Sequence, residues 1–322
     1  MVCVVGADGI SARAKFLEKA ITRILFNCFP TSYDWERGKV TLLVFFCLGL
    51  VVVSIKLVIL DIDGTIAGQA NQVRQPVQQA IATVQKQGIP IALATGRMFC
   101  SALRFHEQVG SNLPIISYNG ALTKHPHTQE TLRQWHLPQA IAFDLLDYFE
   151  TPELRDVLEV HCYYDDQLYV REITLETQRY IARSGIQAQT ISDLRKIVEK
   201  STVKLLAISQ QQALITELLQ ELRQKYDPKD VYLTQSTEIY FEATHPHANK
   251  GLAVQHLAET ILGLKPENIM AIGDNFNDLE MLQYAGVGVA MGNAPASLKA
   301  VADWVTEDVE EDGVLHALEK FC

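Results

Sequence analysis

The chain has 322 residues, of which 48% are hydrophobic and 20% are charged, a composition that indicates a globular protein and excludes a disordered one. Its formal net charge of -10 argues against a nucleic-acid backbone as the main partner, so any anion site must be built locally. The six cysteines are scattered and contain no CxxC pair, which indicates free thiols rather than a disulfide framework or a zinc site.

Residues 1–54 form an N-terminal extension that differs from the rest of the chain. Its apolar run, residues 40–55, is shorter than the roughly 20 residues that span a bilayer, and it lies too far in for a signal peptide. The run also leads into the first predicted strand with only Lys56 between them. We expect a cytoplasmic protein, with membrane association only through residues 40–55. The extension is then a loosely attached segment, or a start codon has been assigned too far upstream; a membrane anchor is the less favoured alternative.

From Lys56 onward, predicted strands and helices alternate. The unbroken apolar run Leu57–Leu60 is typical of a strand that is covered on both faces of a parallel sheet. The next helix has four apolar residues at helical spacing and ends at Gly88. The same alternation continues with a strand in 89–97, a helix in 98–110 and a strand in 114–121. This order predicts a doubly wound parallel sheet.

Residues 124–238 have a different pattern. The stretches 158–166 and 167–173 predict a hairpin with one exposed face, and 231–237 with 238–244 resemble a second hairpin. A strand in 203–209 and a long helix in 211–226 lie between them. This grouping predicts an inserted α+β unit. The alternation then resumes with a helix in 249–264, a strand in 268–274, a helix from Asn277 and a strand in 286–291.

Together these elements predict an α/β fold: a doubly wound, Rossmann-like parallel-sheet core with an inserted α+β cap domain. We place the catalytic core at residues 55–123 and 239–322 and the cap at residues 124–238.

Four short motifs lie at strand ends or helix starts: DIDGT at 61–65, ATGR at 94–97, NKG at 249–251 and GDNFND at 273–278. In one parallel sheet they would converge at the carboxyl edge, which brings four carboxylates and a lysine together. Crowded carboxylates repel unless a cation lies among them, and hard oxygen ligands suit Mg²⁺. Magnesium beside a lysine and glycine-flanked N–H groups is an arrangement for phosphoryl transfer.

The residue types indicate individual roles. Asp61 directly follows the buried strand and can attack phosphorus, which would form an aspartyl phosphate. Asp63 can protonate the leaving alkoxide and later deprotonate the attacking water. The other motifs supply phosphoryl contacts from Thr95 and Gly96, charge neutralisation by Lys250 and metal binding by Asp274.

These motifs, in this order, resemble those of haloacid dehalogenase superfamily phosphatases. The large insert is similar to the cap of the Cof-like branch, and SYNGA at 117–121 and EDGV at 311–314 also match that branch. The resemblance covers about residues 54–322. It implies a Mg²⁺-dependent phosphatase that acts on a small phosphoester through an aspartyl phosphate.

The resemblance also implies a set of ligands. Magnesium would be bound by Asp61, the backbone carbonyl of Asp63 and Asp274, with Asp278 one layer behind them. The phosphate contacts would come from the N–H of Ile62, Thr95, Gly96, Lys250 and Asn277.

The expected substrate is a small phosphorylated metabolite of the sugar phosphate, FMN or pyridoxal phosphate type, and residues of the cap would decide which. One alternative is a phosphomutase of the same superfamily. Another is a non-catalytic, membrane-tethered binder of a phosphate ligand, against which the intact acidic and lysine residues argue. Arg97 could bind substrate or only support its helix, and Tyr163 could contact substrate or only pack. His245 and His247 fit a surface pair better than a pair of metal ligands.

Overall fold

The computed structural model describes residues 54–322, in which Ile55–Cys322 forms one compact unit. The predicted extension therefore lies outside the described residues except for its last residue, Ser54, and only Ser54 and Ile55 of the apolar run at 40–55 are described. In the described part of the chain, no helix is both long enough and apolar enough to cross a membrane.

A five-stranded parallel sheet forms the centre of the core. Its strand order is β14 (Trp304–Val305), β13 (Val287–Ala290), β12 (Ile269–Gly273), β1 (Leu57–Leu60) and β2 (Ile91–Leu93). All four residues of β1 are buried, which explains its unbroken apolar sequence. Because β1 lies between β12 and β2, the residues that follow these three strands are neighbours at one edge.

Six helices accompany this sheet: α1 (Gln75–Lys86), α2 (Phe99–Val109), α8 (Lys250–Gln255), α9 (Leu279–Tyr284), α10 (Ala296–Val301) and α11 (Gly313–Phe321). The face of α1 that carries Val77, Ile81 and Val84 is buried, as its spacing predicts. The helix predicted in 249–264 is present from Lys250 to Ile261, and its second half, His256–Ile261, is a wider π-helix that follows α8 directly.

The strand predicted in 114–121 is shorter than expected. It forms β3 (Ile115–Ser117), and the chain then turns through Tyr118–Gly120 and returns as β4 (Leu122–Lys124), which pairs with β5 (Thr131–Gln134). All three turn residues have positive φ, and a Cβ on Gly120 would lie 2.4 Å from the Asn249 carbonyl oxygen. The turn therefore requires glycine at this position.

A second sheet of six strands, here called the cap sheet, forms the centre of the cap. Its order is β10 (Tyr232–Thr237), β11 (Tyr240–Thr244), β9 (Lys204–Ile208), β6 (Glu159–Tyr164), β7 (Gln167–Val170) and β8 (Ala188–Thr190). Both predicted hairpins are present as antiparallel pairs, β6 with β7 and β10 with β11. The associated helices are α3 (Gln139–Phe149), α4 (Pro152–Arg155), α5 (Leu175–Ser184), α6 (Arg195–Val198) and α7 (Gln212–Lys225).

The α/β fold with a parallel-sheet core and an α+β cap is thus confirmed. Strands cross both predicted boundaries between core and cap. On one side β5 pairs with β4, and on the other β11 continues the cap sheet to Thr244. The division into a core at 55–123 and 239–322 and a cap at 124–238 stays a prediction.

Candidate active site

The structure places three of the four motifs directly after neighbouring parallel strands. Asp61 follows β1, and its N–H donates to the Ile272 carbonyl of β12 at 3.0 Å. Asp274 follows β12, and Thr95 lies two residues beyond β2. The fourth motif begins α8, where the Asn249 side chain caps the helix by accepting the N–H of Leu252 at 2.7 Å.

Lys250 joins two carboxylates at the centre of this edge. Its side chain is fully buried, and its Nζ lies 2.6 Å from Asp61 Oδ1 and 2.6 Å from Asp278 Oδ1. Burial favours the neutral amine, but the Asp278 and Asp61 carboxylates more than offset it and raise the pKa of Lys250. Lys250 is therefore an ammonium ion that holds Asp61 in one orientation.

Asp278 uses both of its oxygens within the protein. Oδ1 binds Lys250, and Oδ2 accepts the N–H groups of Asp274 at 2.9 Å and Asn275 at 3.0 Å. This bonding fixes the loop after β12 and leaves Asp278 behind the site, where the sequence places it.

Carboxylate oxygens of Asp61, Asp274 and Asp278 lie within 4.8 Å of one another and are all buried, so this cluster could bind a metal ion. Among the described residues, both oxygens of Asp278 have strong hydrogen bonds, whereas Asp61 is bonded through Oδ1 alone and Asp274 accepts only long bonds, of 3.5 Å from Thr65 and 3.2 Å from Asn293. Asp61 and Asp274 are therefore the carboxylates best placed to bind a metal ion. Burial and the nearby Asp61 and Asp278 charges raise the pKa of Asp274. Burial also raises the pKa of Asp61 to about 7, against the effect of Lys250. Such shifts mark a shortage of positive charge, which a cation would correct.

The chemistry of the donor set fits Mg²⁺. Asp61 and Asp274 offer hard carboxylate oxygens, and the intervening turn carries the backbone carbonyl of Asp63. Gly64 has φ +80°, and a Cβ there would lie only 2.1 Å from Asp274 Oδ2. The turn can therefore approach the Asp274 carboxylate only with glycine at this position.

The Asp63 side chain is held by two arginines. Arg97 donates from Nε to Oδ2 at 2.7 Å and from Nη2 to Oδ1 at 2.8 Å, and Arg183 Nη2 donates to Oδ1 at 2.8 Å. Although burial acts to raise it, the two arginines bring the pKa of Asp63 below its ordinary value. Arg97 comes from the second motif and Arg183 from α5, so Asp63 lies where core and cap meet.

The predicted phosphate contacts lie around the same edge. The Thr95 hydroxyl accepts the N–H of Arg97 at 3.1 Å. A Cβ on Gly96 would lie 2.9 Å from Asn119 Oδ1, which in turn accepts the Asn277 side-chain amide at 2.9 Å. Ile62 lies in the turn between the two aspartates, and its carbonyl accepts the N–H of Ala67 at 2.8 Å.

Three further residues at this site were not found from the sequence: Arg183, Lys204 and Glu242. In the sequence Arg183 looks like an ordinary cation near a helix C-terminus. Nothing local links it to Asp63, which is 120 residues away in the chain. Lys204 and Glu242 lie in strands β9 and β11, next to apolar residues in the sequence. Only the alternation of residues along each strand indicates which face of the sheet they occupy. By contrast, His245 stacks on the Trp135 ring at 4.4 Å, away from this cluster.

This fold and site define an α/β protein with an inserted cap and a buried carboxylate and lysine cluster at the edge of its parallel sheet. The chain belongs to the haloacid dehalogenase-like hydrolases: the model of that family matches residues 58–318. It is a phosphatase enzyme of the Cof-like branch.

The match to this chain covers nearly the whole length of its relatives. Bacillus subtilis YxeH is 30% identical over 273 residues, which cover 82% of this chain and 97% of YxeH. YitU of the same organism, named 5-amino-6-(5-phospho-D-ribitylamino)uracil phosphatase, is 27% identical over 274 residues, with coverage of 82% and 97%. A solved haloacid dehalogenase-like hydrolase from B. subtilis superposes with a TM-score of 0.73 at 25% identity and covers 83% of this chain and 100% of its own.

Proposed function

We propose that this phosphatase is Mg²⁺-dependent and hydrolyses a small phosphorylated metabolite through an aspartyl phosphate on Asp61. The observation that carries the proposal is the fully buried Lys250, which bridges Asp61 and Asp278 beside Asp274. A carboxylate that is fixed by a strand, oriented by an ammonium and placed beside the carboxylate of Asp274 suits nucleophilic attack on a phosphoester.

The site residues divide the reaction among them. Asp61 attacks phosphorus, and the bond between phosphorus and the ester oxygen breaks. Arg97 and Arg183 lower the pKa of Asp63 and keep it ionised, so Asp63 must leave them and take up a proton before it can protonate the departing alkoxide. It then takes a proton from the water that hydrolyses the aspartyl phosphate. Lys250, Thr95, Gly96, Asn277 and the Ile62 N–H bind the phosphoryl oxygens.

Magnesium would be held by Asp61, Asp274 and the Asp63 carbonyl, where it would neutralise charge on the phosphoryl group. Asp278 acts indirectly, by fixing Lys250 and the loop that carries Asp274.

The substrate is a sugar phosphate or a cofactor phosphate of the FMN or pyridoxal phosphate type. The relative YitU is named as a phosphatase for a ribityl phosphate, which supports a substrate of this size. A phosphomutase of the same superfamily is the alternative. Release of inorganic phosphate from a monoester, with no bisphosphate activator present, separates the two activities.

The test is a phosphatase screen of the purified full chain over phosphorylated metabolites, with Mg²⁺ and with excess chelator. We expect phosphate release only with Mg²⁺, inhibition by Ca²⁺, which tolerates more ligands, and loss of activity in Asp61→Asn. Asp230→Asn, which changes an exposed carboxylate, is the matched control and should retain activity. An active Asp61→Asn protein, or full activity in chelator, contradicts the mechanism.

A further inference from the structure

The loop after β13 reaches the carboxyl edge of the parallel sheet beside the proposed metal ligands. β13 pairs with β12 up to Ala290, which lies opposite Gly273, the residue before Asp274. The N–H of Met291 donates to the Gly273 carbonyl at 3.0 Å, so the chain leaves β13 alongside the loop that carries Asp274. Asn293 is the third residue after β13, and none of the four motifs contains it.

The side-chain amide of Asn293 donates to two acceptors of the site. Its Nδ2 lies 2.9 Å from the carbonyl oxygen of Gly64 and 3.2 Å from Asp274 Oδ2. Its Oδ1 accepts the N–H of Val309 at 3.1 Å. An amide nitrogen has two hydrogens, so both are used here, and the three partners together determine which way the amide faces.

These contacts make the two oxygens of Asp274 unequal. Oδ2 accepts from Asn293 and lies so near the backbone of Gly64 that a Cβ there would be 2.1 Å away. Within residues 54–322, Oδ1 has only the Thr65 hydroxyl at 3.5 Å, which is near the upper limit of a hydrogen bond. Asp274 therefore has one oxygen that is engaged within the protein and one that is nearly free for a cation.

The number of carboxylate oxygens that a site offers distinguishes the two common divalent cations. Mg²⁺ requires near-octahedral geometry with few ligands from the protein, whereas Ca²⁺ takes about 6–8 oxygen ligands and accepts both oxygens of one carboxylate. An amide that engages one oxygen of Asp274 therefore denies Ca²⁺ a ligand but leaves Mg²⁺ the single oxygen that it uses.

We propose that Asn293 is a positioning residue of the metal site, which shifts the selectivity of the site from Ca²⁺ toward Mg²⁺ by engaging Oδ2 of Asp274. This inference rests on the proposed function, since it requires that Asp274 hold the metal ion. An asparagine suits this role because its amide binds the carboxylate without the positive charge with which a lysine would repel the cation.

The experiment measures cation binding to the full chain after bound metal has been removed with a chelator. Mn²⁺ bound to the protein is followed by electron paramagnetic resonance, and Mg²⁺ or Ca²⁺ is added until half of it is displaced. The ratio of the two concentrations gives the selectivity without any turnover. In Asn293→Ala the ratio should shift toward Ca²⁺ by about 3- to 10-fold, the effect of losing one hydrogen bond.

Three further variants identify the cause of this shift. Asn293→Asp has the same shape and keeps the acceptor for the Val309 N–H, but it cannot donate to Asp274, so its ratio should also shift toward Ca²⁺. Asp274→Asn should lose the Mn²⁺ that Mg²⁺ displaces, which shows that the measurement reports this site. Asn112→Ala removes an exposed amide that precedes β3 and should keep the wild-type ratio.

The outcomes distinguish the inference from the proposed function. A wild-type ratio in Asn293→Ala overturns the inference. So does a shift in Asn293→Ala that is absent in Asn293→Asp, because the effect then comes from the bond to Val309. A chain that shows the expected shift but hydrolyses no ester contradicts the proposed catalysis and leaves the inference standing. If neither cation displaces Mn²⁺, or if Asp274→Asn retains it, the metal site and the inference fail together.

Discussion

Lys250 supplies the positive charge that lets two aspartates lie together in a buried cluster. With its Nζ at 2.6 Å from both Asp61 and Asp278, it compensates carboxylates that burial would otherwise force to take up protons. Removal of the ammonium leaves Asp61, Asp274 and Asp278 facing one another in a buried cluster.

We therefore expect Lys250→Met to abolish activity and to lower the free energy of unfolding by about 3–5 kcal/mol, the usual effect of leaving a buried charge unpaired. Urea unfolding at neutral pH without Mg²⁺ measures the change. Lys86→Met alters an exposed lysine of α1 and should shift stability by no more than about 0.5 kcal/mol. Equal unfolding curves for wild type and Lys250→Met would show that the cluster does not depend on this cation.

His161 makes the stability of the protein depend on pH. Its ring is fully buried and Nε2 lies 3.1 Å from the Thr177 hydroxyl. Burial, and secondarily the charge of Lys204, lower the pKa of His161 from 6.5 to about 3. The unfolded chain thus binds a proton below pH 6.5 while the folded chain does not, so this histidine destabilises the fold as the pH falls.

At pH 5 the loss from His161 is about 2 kcal/mol of unfolding free energy relative to pH 7.5. In His161→Gln, the decrease between these two pH values should be smaller by that amount, as measured by urea unfolding at each pH. His316→Gln removes an exposed histidine and should behave as wild type. If His161→Gln and wild type lose the same stability, the histidine is not kept neutral by its surroundings.

At the scale of single residues, the sequence was most informative where a polar residue directly follows a buried strand. Asp61 and Asp274 could be located because the apolar runs before them predict where parallel strands end. Arg97 could not be assigned, and the structure places it on Asp63. Arg183 could not be found at all, because its contact depends on how α5 packs against the core.

Two of the contacts between the cap and the core involve the ends of secondary structure elements. The turn between β6 and β7 directs Asp166 at the start of α2, where its carboxylate accepts the N–H groups of Phe99 at 3.1 Å and Cys100 at 2.8 Å. At the C-terminus of α5, the carbonyl of Arg183 accepts from Arg97 and Arg104. Anions at a helix start and cations at a helix end both interact favourably with the helix dipole.

Asp166→Ala removes the cap of α2 and one attachment of the cap sheet. We expect a loss of about 1 kcal/mol in unfolding free energy, the usual effect of losing an N-cap, together with a higher KM. Asp165 has the same positive φ in the same turn, so Asp165→Ala is the matched control for backbone effects. An Asp166→Ala protein with unchanged stability and KM would mean that this contact does not hold the cap closed.

At the scale of elements, long periodic segments were predicted well and short irregular ones were not. α1 was recognised because its buried positions repeat at helical spacing. The turn at Tyr118–Gly120 and the π-helical turn at His256–Ile261 were missed. The turn at Tyr118–Gly120 depends on a contact between distant parts of the chain, the approach of Gly120 to Asn249, which no local pattern records.

Across the whole molecule, the catalytic unit begins close to the first strand. Ile55–Cys322 forms one compact unit, and the family match begins at residue 58. Ile55 is already buried, and the N–H of Lys56 donates to the Asn268 carbonyl at 2.7 Å. Because Ile55 and Lys56 already take part in the core, the fold requires residues from about 55 onward. All of the proposed site residues lie after this point.

We therefore expect residues 54–322, expressed alone, to have a kcat/KM within about twofold of that of the full chain on any ester found in the screen. The reason is that β1, which carries Asp61 at its end, pairs with β12 and β2 through residues 57–60 and needs nothing before Ile55 for its hydrogen bonds. A chain that begins at residue 61 is the matched control. It lacks the central strand of the parallel sheet, so it should neither fold nor hydrolyse the ester. An inactive 54–322 beside an active full chain would show that residues 1–53 take part in catalysis or in holding the fold together.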